Sequence, residues 1–269
     1  MFTPINQAHA IAEAIVFFEF APDLTAVLPT LLGLKETLKQ DFPRQEVTQE
    51  YKLDVGPGGG ALKQLPSGLQ LSRFRANGAP EWMINIAPQA ISFHCLDYSR
   101  WDPVWKEMKT YIRAVFHEMG AAHVSIGAVG LKYVDRFIWK GDVNGYDARQ
   151  LFKTETPLLH KRAFESGPRW HCHTGWFHFG HSSGEILNQL NVDSGFVMLE
   201  GIQAVLVSID HNQVLRSGAQ GSLDQYGNVR KDSVALDDLM KYLHDKNKIT
   251  LDELLTEEVA KSIKLQASK

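Results

Sequence analysis

Short strand-like runs divided by glycine and proline outnumber helical patterns along this chain, and that imbalance most constrains what it can fold into. The first run, Ile11 to Phe20, is rich in β-branched and aromatic residues and stops at Ala21-Pro22-Asp23. Further strands are predicted over Glu46 to Val55, Gly68 to Ala76, Glu81 to Leu96 and Val124 to Trp139. Others follow near Arg162 to Glu165, Trp170 to Phe179, Glu185 to Val192 and Ile202 to Ile209. Turn signals separate them at Gly56-Pro57-Gly58-Gly59-Gly60, Asn77-Gly78-Ala79-Pro80, Gly180-His181-Ser182-Ser183-Gly184 and Asp193-Ser194-Gly195. Strand runs of this kind, with few helices between them, favour an α+β class of antiparallel sheet over a repeating βαβ plan.

Three helical stretches break the pattern. Asp23 can cap a helix whose Leu24, Val27, Leu28, Leu31, Leu34 and Leu38 recur every three or four residues, with Pro29 near its first turn and Asp41-Phe42-Pro43 at its end. From about Asp102 to Met119, Val104, Trp105, Met108, Tyr111, Ile112, Val115, Phe116 and Met119 form one apolar stripe, closed by Gly120. After a polar loop from Ser217 to Asp232, Leu236, Leu239, Met240 and Leu243 begin a helix reaching Leu254, and Thr256 caps a short final one. Each half therefore places antiparallel strands before a strong helix. The expected organisation is two lobes, 1–145 and 146–269, each a sheet packed by a long amphipathic helix in a pseudo-duplicated arrangement, with Gly141 to Ala148 between them.

At 269 residues and 44% apolar composition, the chain can bury a substantial core. Its 28 basic and 31 acidic residues create no global field toward nucleic acid or anionic membrane, although a local basic groove is compatible with them. Cys95 and Cys172 are too few for a disulfide scaffold, and Met1-Phe2-Thr3-Pro4 opens no leader-like pattern, so a reducing cytoplasm is expected. The longest apolar stretch, Ala10 to Phe20, carries Glu13 and Glu19 and falls short of the roughly 20 residues that cross a bilayer. No membrane partner is expected.

Three segments together resemble a sporadically distributed bacterial family of unassigned function. They are the Ala10 to Phe20 strand with its helix ending in Phe42-Pro43; Ile126-Gly127-Ala128-Val129-Gly130-Leu131-Lys132-Tyr133-Val134-Asp135; and Val207-Ser208-Ile209-Asp210 with Leu239 to His244 and Ile249-Thr250. The second is similar to that family's pattern of Arg, a spacer, then Gly-Leu-Arg-Tyr-Ile-Asn. Lys132 stands where the family has Arg and Asp135 where it has Asn, so a role that needs a bidentate guanidinium does not carry over. The resemblance implies a stand-alone soluble bacterial protein associated with mobile or defence-related genes, and it supplies no catalytic residue.

Side chains able to bind metal or move protons crowd together only at His171-Cys172-His173-Thr174-Gly175-Trp176-Phe177-His178-Phe179-Gly180-His181. Along a continuous strand His171 and His173 share one side and His178 takes the other. A turn at Thr174-Gly175 would let His171, His173 and His178 converge on Zn and leave a catalytic position open. The flanking Trp170, Trp176, Phe177 and Phe179 suggest instead an aromatic-backed sheet with wet histidines.

Other motifs are weaker. Asp210-His211 and Asp97, read at strand ends, look like turn aspartates more than acid–base residues. The glycine-rich stretch at 56–60 lacks a following Lys-Ser/Thr, no Gly-x-Ser-x-Gly elbow is present, and both cysteines lie in apolar strands. Arg113 and His117 fit a solvated helix face. Lys132, Arg136, Lys140, Lys161, Arg162 and Arg169 are the densest basic set, with Trp139 and Trp170 as stacking candidates for nucleic acid.

The expectation that follows is a binding or regulatory component. It would meet a protein partner or small ligand near Lys132, Tyr133, Arg136, Trp170, His171 and His173. The alternatives are a metal-dependent hydrolase or nuclease and a nucleic-acid-binding protein, and a homo-oligomer is compatible with each.

Overall fold

Alternation of buried and exposed residues along extended chain dominates the computed structural model. It describes residues 1–6, 8–21, 23–56, 59–120, 124–181, 184–217, 223 and 234–265, with the side chains of 51–64 and 180–181 left aside. The strands are β1 (Phe2–Pro4), β2 (Ile11–Ala21), β3 (Arg44–Gly56), β4 (Gly59–Phe74), β5 (Pro80–Ile86), β6 (Ala90–Cys95), β7 (Ser125–Trp139), β8 (Trp170–His181), β9 (Gly184–Leu199) and β10 (Ile202–Arg216). The helices are α1 (Leu28–Leu31), α2 (Leu34–Thr37), α3 (Trp101–Met119), α4 (Val234–Leu254) and α5 (Glu257–Ser262). The protein is mostly antiparallel sheet with a few helices, an α+β architecture. No described helix is long and apolar enough to cross a membrane.

Two compact units emerge, and they differ from the expected halves. Unit 1 comprises Met1–Ala14, Gly130–Arg216 and Ala235–Lys269, whereas unit 2 comprises Ile15–Val129 and Ser217–Val234. No boundary falls at 145, which lies inside the Gly130–Arg216 segment of unit 1; the divisions fall instead within β2 and β7, which each contribute residues to both units.

In unit 2 the strand order is β3-β4-β5-β6-β2. The predicted strand over Glu81 to Leu96 is two strands, since Pro88 has no amide hydrogen for a ladder and Ala87 and Ala90 exchange backbone hydrogen bonds around it. The predicted loop at 56–60 is a tighter hairpin in which Gly56 pairs with Gly59; Pro57 and Gly58 lie outside the described residues. The leucine-rich helix expected after Asp23 is broken into a 3-10 turn at Leu24–Ala26, then α1 and α2. Asp23 does cap it, accepting from the Thr25 amide at 3.1 Å. At Gly33, at the break, a Cβ would stand 2.3 Å from Glu118 Oε1, so a larger residue there requires the Glu118 carboxylate to move aside. Val104, Met108, Ile112 and Val115 are buried along α3, and Phe18 meets Phe93 and Phe116 edge-on. Arg73 ties β4, β5 and α3 together through Glu81, Glu107 and Tyr111, at 2.9, 2.6 and 2.7 Å.

In unit 1 the order is β7-β10-β9-β8, with β1 on β7. β9 turns into β10 at Glu200 and Gly201, both at positive φ (50° and 80°), the two-residue turn whose twist matches a hairpin. The expected loop at Asp193-Ser194-Gly195 is therefore strand. Ser194 is satisfied there, donating to the Pro168 carbonyl at 3.0 Å and accepting from the Tyr146 hydroxyl at 3.0 Å. Ser182 and Ser183 of the neighbouring predicted loop, and nearly all of the Ser217 to Asp232 loop, lie outside the described residues. The strand expected over Arg162 to Glu165 is a 3-10 turn, Lys161–Phe164, whose Arg162 amide donates to the His160 ring. Val205, Val207 and Ile209 of β10 form a core with Phe137 of β7 and with Leu251 and Leu254 of α4. Thr256 caps α5 as expected, its hydroxyl accepting from the Val259 amide.

Candidate functional site

The pleat of β8 decides which side chains can act together. β8 runs without a turn through Thr174-Gly175, paired from Trp170↔Ser194 to His178↔Ile186, with one irregularity between His178 and His181. Residues opposite each other in an antiparallel pair share a side of the sheet. Trp170, Cys172, Thr174, Trp176 and His178 therefore lie on one side with Val192, Leu190 and Asn188 of β9 and, through the β10 register, with Ile209, His211 and Gln213. This is the side that α4 seals.

A chain of polar groups is buried there. His211, fully buried, has Nδ1 2.7 Å from Asn247 Oδ1 on α4 and Nε2 3.3 Å from Asn188 Oδ1 on β9. Asn188 Nδ2 donates to His178 Nδ1 at 2.7 Å, and His178 Nε2 lies 3.1 Å from the Tyr242 hydroxyl on α4. Trp176 stacks on His211, with centroids 5.9 Å apart and planes 21° apart. Burial, opposed by the Asn247 hydrogen bond and reinforced by His178, pulls His211 down to about 4. His178 is lowered too, by burial and then by Lys246. Oxygens face both nitrogens of His211, so its neutral ring leaves one contact without a proton. A half-turn of the Asn247 amide, exchanging its oxygen and NH₂, repairs the mismatch.

Two more buried groups belong to this side. The Tyr133 hydroxyl is 2.9 Å from His244 Nδ1 of α4, and His244 is pulled down to about 4 by burial and Lys248. Asp135, two residues along β7, is buried with Oδ2 unbonded, and burial, then Asp210, pushes it up to about 7. Both side-chain polar atoms of Gln213 are also buried without a partner.

The other side of the same strands is open. His171, His173, Phe177 and Phe179 are exposed, the two phenyls by 58% and 78%. Beside them on β9 stand Asp193, Asn191 and Gln189, and on β10 Ser208, Asp210 and Asn212. Lys132 joins this side through a 2.8 Å ion pair with Asp210, which also accepts from Ser208 at 3.1 Å. Arg136 shares the parity of Lys132 on β7 and is exposed. The His171 and His173 rings are 5.4 Å apart, and His173 Nε2 is 3.9 Å from Asp193.

The predicted binding set is thus divided. Lys132, Arg136, His171 and His173 lie on the open side. Tyr133 does not, being locked against His244, nor does Trp170, whose indole donates to the Tyr146 hydroxyl at 3.2 Å and packs on Phe152. The predicted metal set is divided too: the continuous strand puts His178 on the sealed side, away from His171 and His173. Among the described residues no three His, Cys, Asp or Glu side chains are placed to hold a metal ion.

Asp210-His211 lies inside β10 rather than at its end, with the two side chains on opposite sides, while Asp97 follows β6 and pairs with Arg75 at 3.3 Å. Trp139 is buried, edge-on to Phe2, and offers no stacking platform. Arg113 and His117 are exposed on α3. Burial pushes the Cys95 thiol up to about 12, and both cysteines are free.

The network around His211 escaped sequence reasoning because its members come from three strands and a helix. The available signal was polar residues at core positions of the α4 stripe: His244, Asn247 and Thr250 are buried alongside Leu243, Leu251 and Leu254.

No family model matches the chain, and no curated protein matches it. A crystal structure of an uncharacterized protein from Mycobacterium tuberculosis is similar at 11% identity and a TM-score of 0.19. The similarity covers 75% of this chain and 56% of that one, so the chain spans little more than half of that protein's length.

Proposed function

We propose that the protein is a non-catalytic binding component that takes a protein partner on the open side of β8, β9 and β10. The observation that carries this reading is the exposure of Phe177 and Phe179 in one surface with His171, His173, Gln189 and Asp193. Aromatic residues and arginine are enriched where proteins recognise one another, and Arg136 extends the same side. Lys132 is neutralised by Asp210, and Asp193 adds negative charge. Phosphate binding draws its affinity from uncompensated cations, so this balance favours a protein over a nucleic acid.

Affinity capture from the native host, with the tagged wild type and two folded variants, tests the reading. Lys132→Ala/Arg136→Ala and His171→Ala/His173→Ala are each expected to lose a partner that the wild type retains. Retention of that partner by both variants would remove this surface from consideration. Stoichiometric Zn in the wild type, absent from the histidine variant, would favour the metal-dependent enzyme, and capture of nucleic acid that falls steeply with salt would favour the third class.

Two further readings accompany the proposal. The units are related halves: in each, a long strand is followed by short helical turns, then by an antiparallel meander whose last strand neighbours the first, then by a long helix. Orders β3-β4-β5-β6-β2 and β7-β10-β9-β8 support this. The two free cysteines support a reducing, cytoplasmic setting.

A further inference from the structure

We infer that β8 is a self-association edge, at which a second copy of this chain adds its own β8 antiparallel across a two-fold axis centred on Gly175. The inference shares His171, His173, Phe177 and Phe179 with the partner-binding surface above, and differs from that reading in naming a second copy of this chain as the occupant. It rests on the free edge of the strand rather than on the side chains of Lys132 and Arg136.

The first support is a contrast between two terminal strands. β8 and β3 each end the strand order of their unit. A sheet edge carries unpaired backbone donors and acceptors, and proteins that stay monomeric blunt such edges with charge, proline or a bulge. β3 is blunted: it contains Arg44, Glu46, Glu50, Lys52 and Asp54, and its pairing shifts register between Thr48 and Gln49. β8 spans 12 residues, Trp-His-Cys-His-Thr-Gly-Trp-Phe-His-Phe-Gly-His, with no Lys, Arg, Asp, Glu or Pro. Its one irregularity lies at the far end, between His178 and His181, and leaves the stretch before it regular. Among the described residues, the backbone of β8 makes no backbone–backbone hydrogen bond beyond its ladder with β9.

The second support is self-complementarity. The open-side residues read His171, His173, Gly175, Phe177, Phe179. Antiparallel pairing about Gly175 sets His173 against Phe177 of the second copy within the regular stretch Trp170 to His178, and repeats the contact by symmetry. The exposed Phe177 phenyl then meets an imidazole twice per dimer, and the centre holds two glycines without a clash. Cross-strand pairs of this kind are the stabilising unit of a sheet. A two-fold interface must be self-complementary in this sense, since every residue that meets a second is met by it in return.

Sedimentation equilibrium of the full chain is the primary test, with the monomer at 30.2 kDa and a concentration-dependent dimer expected. Phe177→Lys/Phe179→Lys places charge on the edge twice per dimer and is expected to weaken association at least about tenfold. Glu46→Lys on β3 is expected to leave it unchanged. Register is read by cross-linking in a Cys172→Ser background, after mixing a His173→Cys chain with a Phe177→Cys chain and oxidising with glutathione disulfide. The mixed disulfide is expected to dominate, because like positions in this register lie roughly 13 Å apart, beyond the reach of a disulfide. A wild type that stays monomeric overturns the inference. So does a dimer that the lysine variant leaves intact while circular dichroism shows it folded, or cross-linking with no preference for the mixed pair. If the lysine variant fails to fold, the cross-linking decides alone.

Discussion

The two sides of β8, β9 and β10 treat the same residue type in opposite ways. On the sealed side His178, His211 and His244 are partnered and held toward the neutral form by burial. On the open side His171 and His173 stand in solvent, with each other and Asp193 nearby. Histidines that are neighbours in sequence are thus unlike in chemistry, and the pleat makes the distinction. A buried imidazole costs stability unless its nitrogens are matched, whereas an exposed one costs nothing and is free to meet a partner.

The largest effect is expected from breaking the sealed side. His211→Ala removes the ring that joins Asn188 to Asn247 and leaves both amides buried with unmet groups, so urea unfolding should show a loss of about 3 kcal/mol. A loss no larger than that of an exposed substitution would mean that the network contributes nothing to the fold.

An intermediate effect is expected from acid and base. His211 and His244 sit at about 4 in the fold against 6.5 when exposed. As pH falls below 6.5 the unfolded chain takes up protons first, and stability declines until about 4, where the folded form is protonated too. Asp135 runs the other way. Held protonated up to about 7 against 3.8 when exposed, it contributes fully below 3.8 and loses that contribution as pH rises through about 7. Asp135→Asn should therefore lie close to the wild type at pH 4 and exceed it in stability at pH 8. A difference that does not change between those two pH values would sink this account of Asp135.

The smallest effect sharpens the contrast from the open side. His171→Ala with His173→Ala should shift the unfolding free energy by no more than about 0.5 kcal/mol, as surface substitutions do. A cost near that of His211→Ala would show that these two rings are structural.

Much of this division was readable in advance. Period-two alternation placed His171 and His173 together and His178 opposite, conditional on an unbroken strand, and β8 is unbroken. The α3 stripe and the Thr256 cap were legible for the same reason: each is a local pattern with a local cause. What remained hidden depends on distant partners. Tyr133 looked available until His244, 111 positions away, closed over it. Asp193-Ser194-Gly195 looked like a turn because nothing nearby in sequence announces that Tyr146 and Pro168 satisfy Ser194. The close approach of Glu118, on another helix, to Gly33 was hidden in the same way.

The discontinuous make-up of unit 1 carries a consequence for synthesis. Thr3 donates to the Ile138 carbonyl across 135 positions, and Phe2 pairs with Trp139. On a ribosome, β1 and the start of β2 must wait, unpaired, until residues 15–129 and the strand beyond them have emerged. Unit 2 is almost continuous in sequence, so it can collect its contacts while unit 1 is still short of most of its chain. Closing so long a loop adds little to the final free energy, because the entropic cost grows only with the logarithm of length. It sets an order of events instead, in which Phe2–Pro4 find their place only after Phe137–Trp139, more than 130 positions later, have been made.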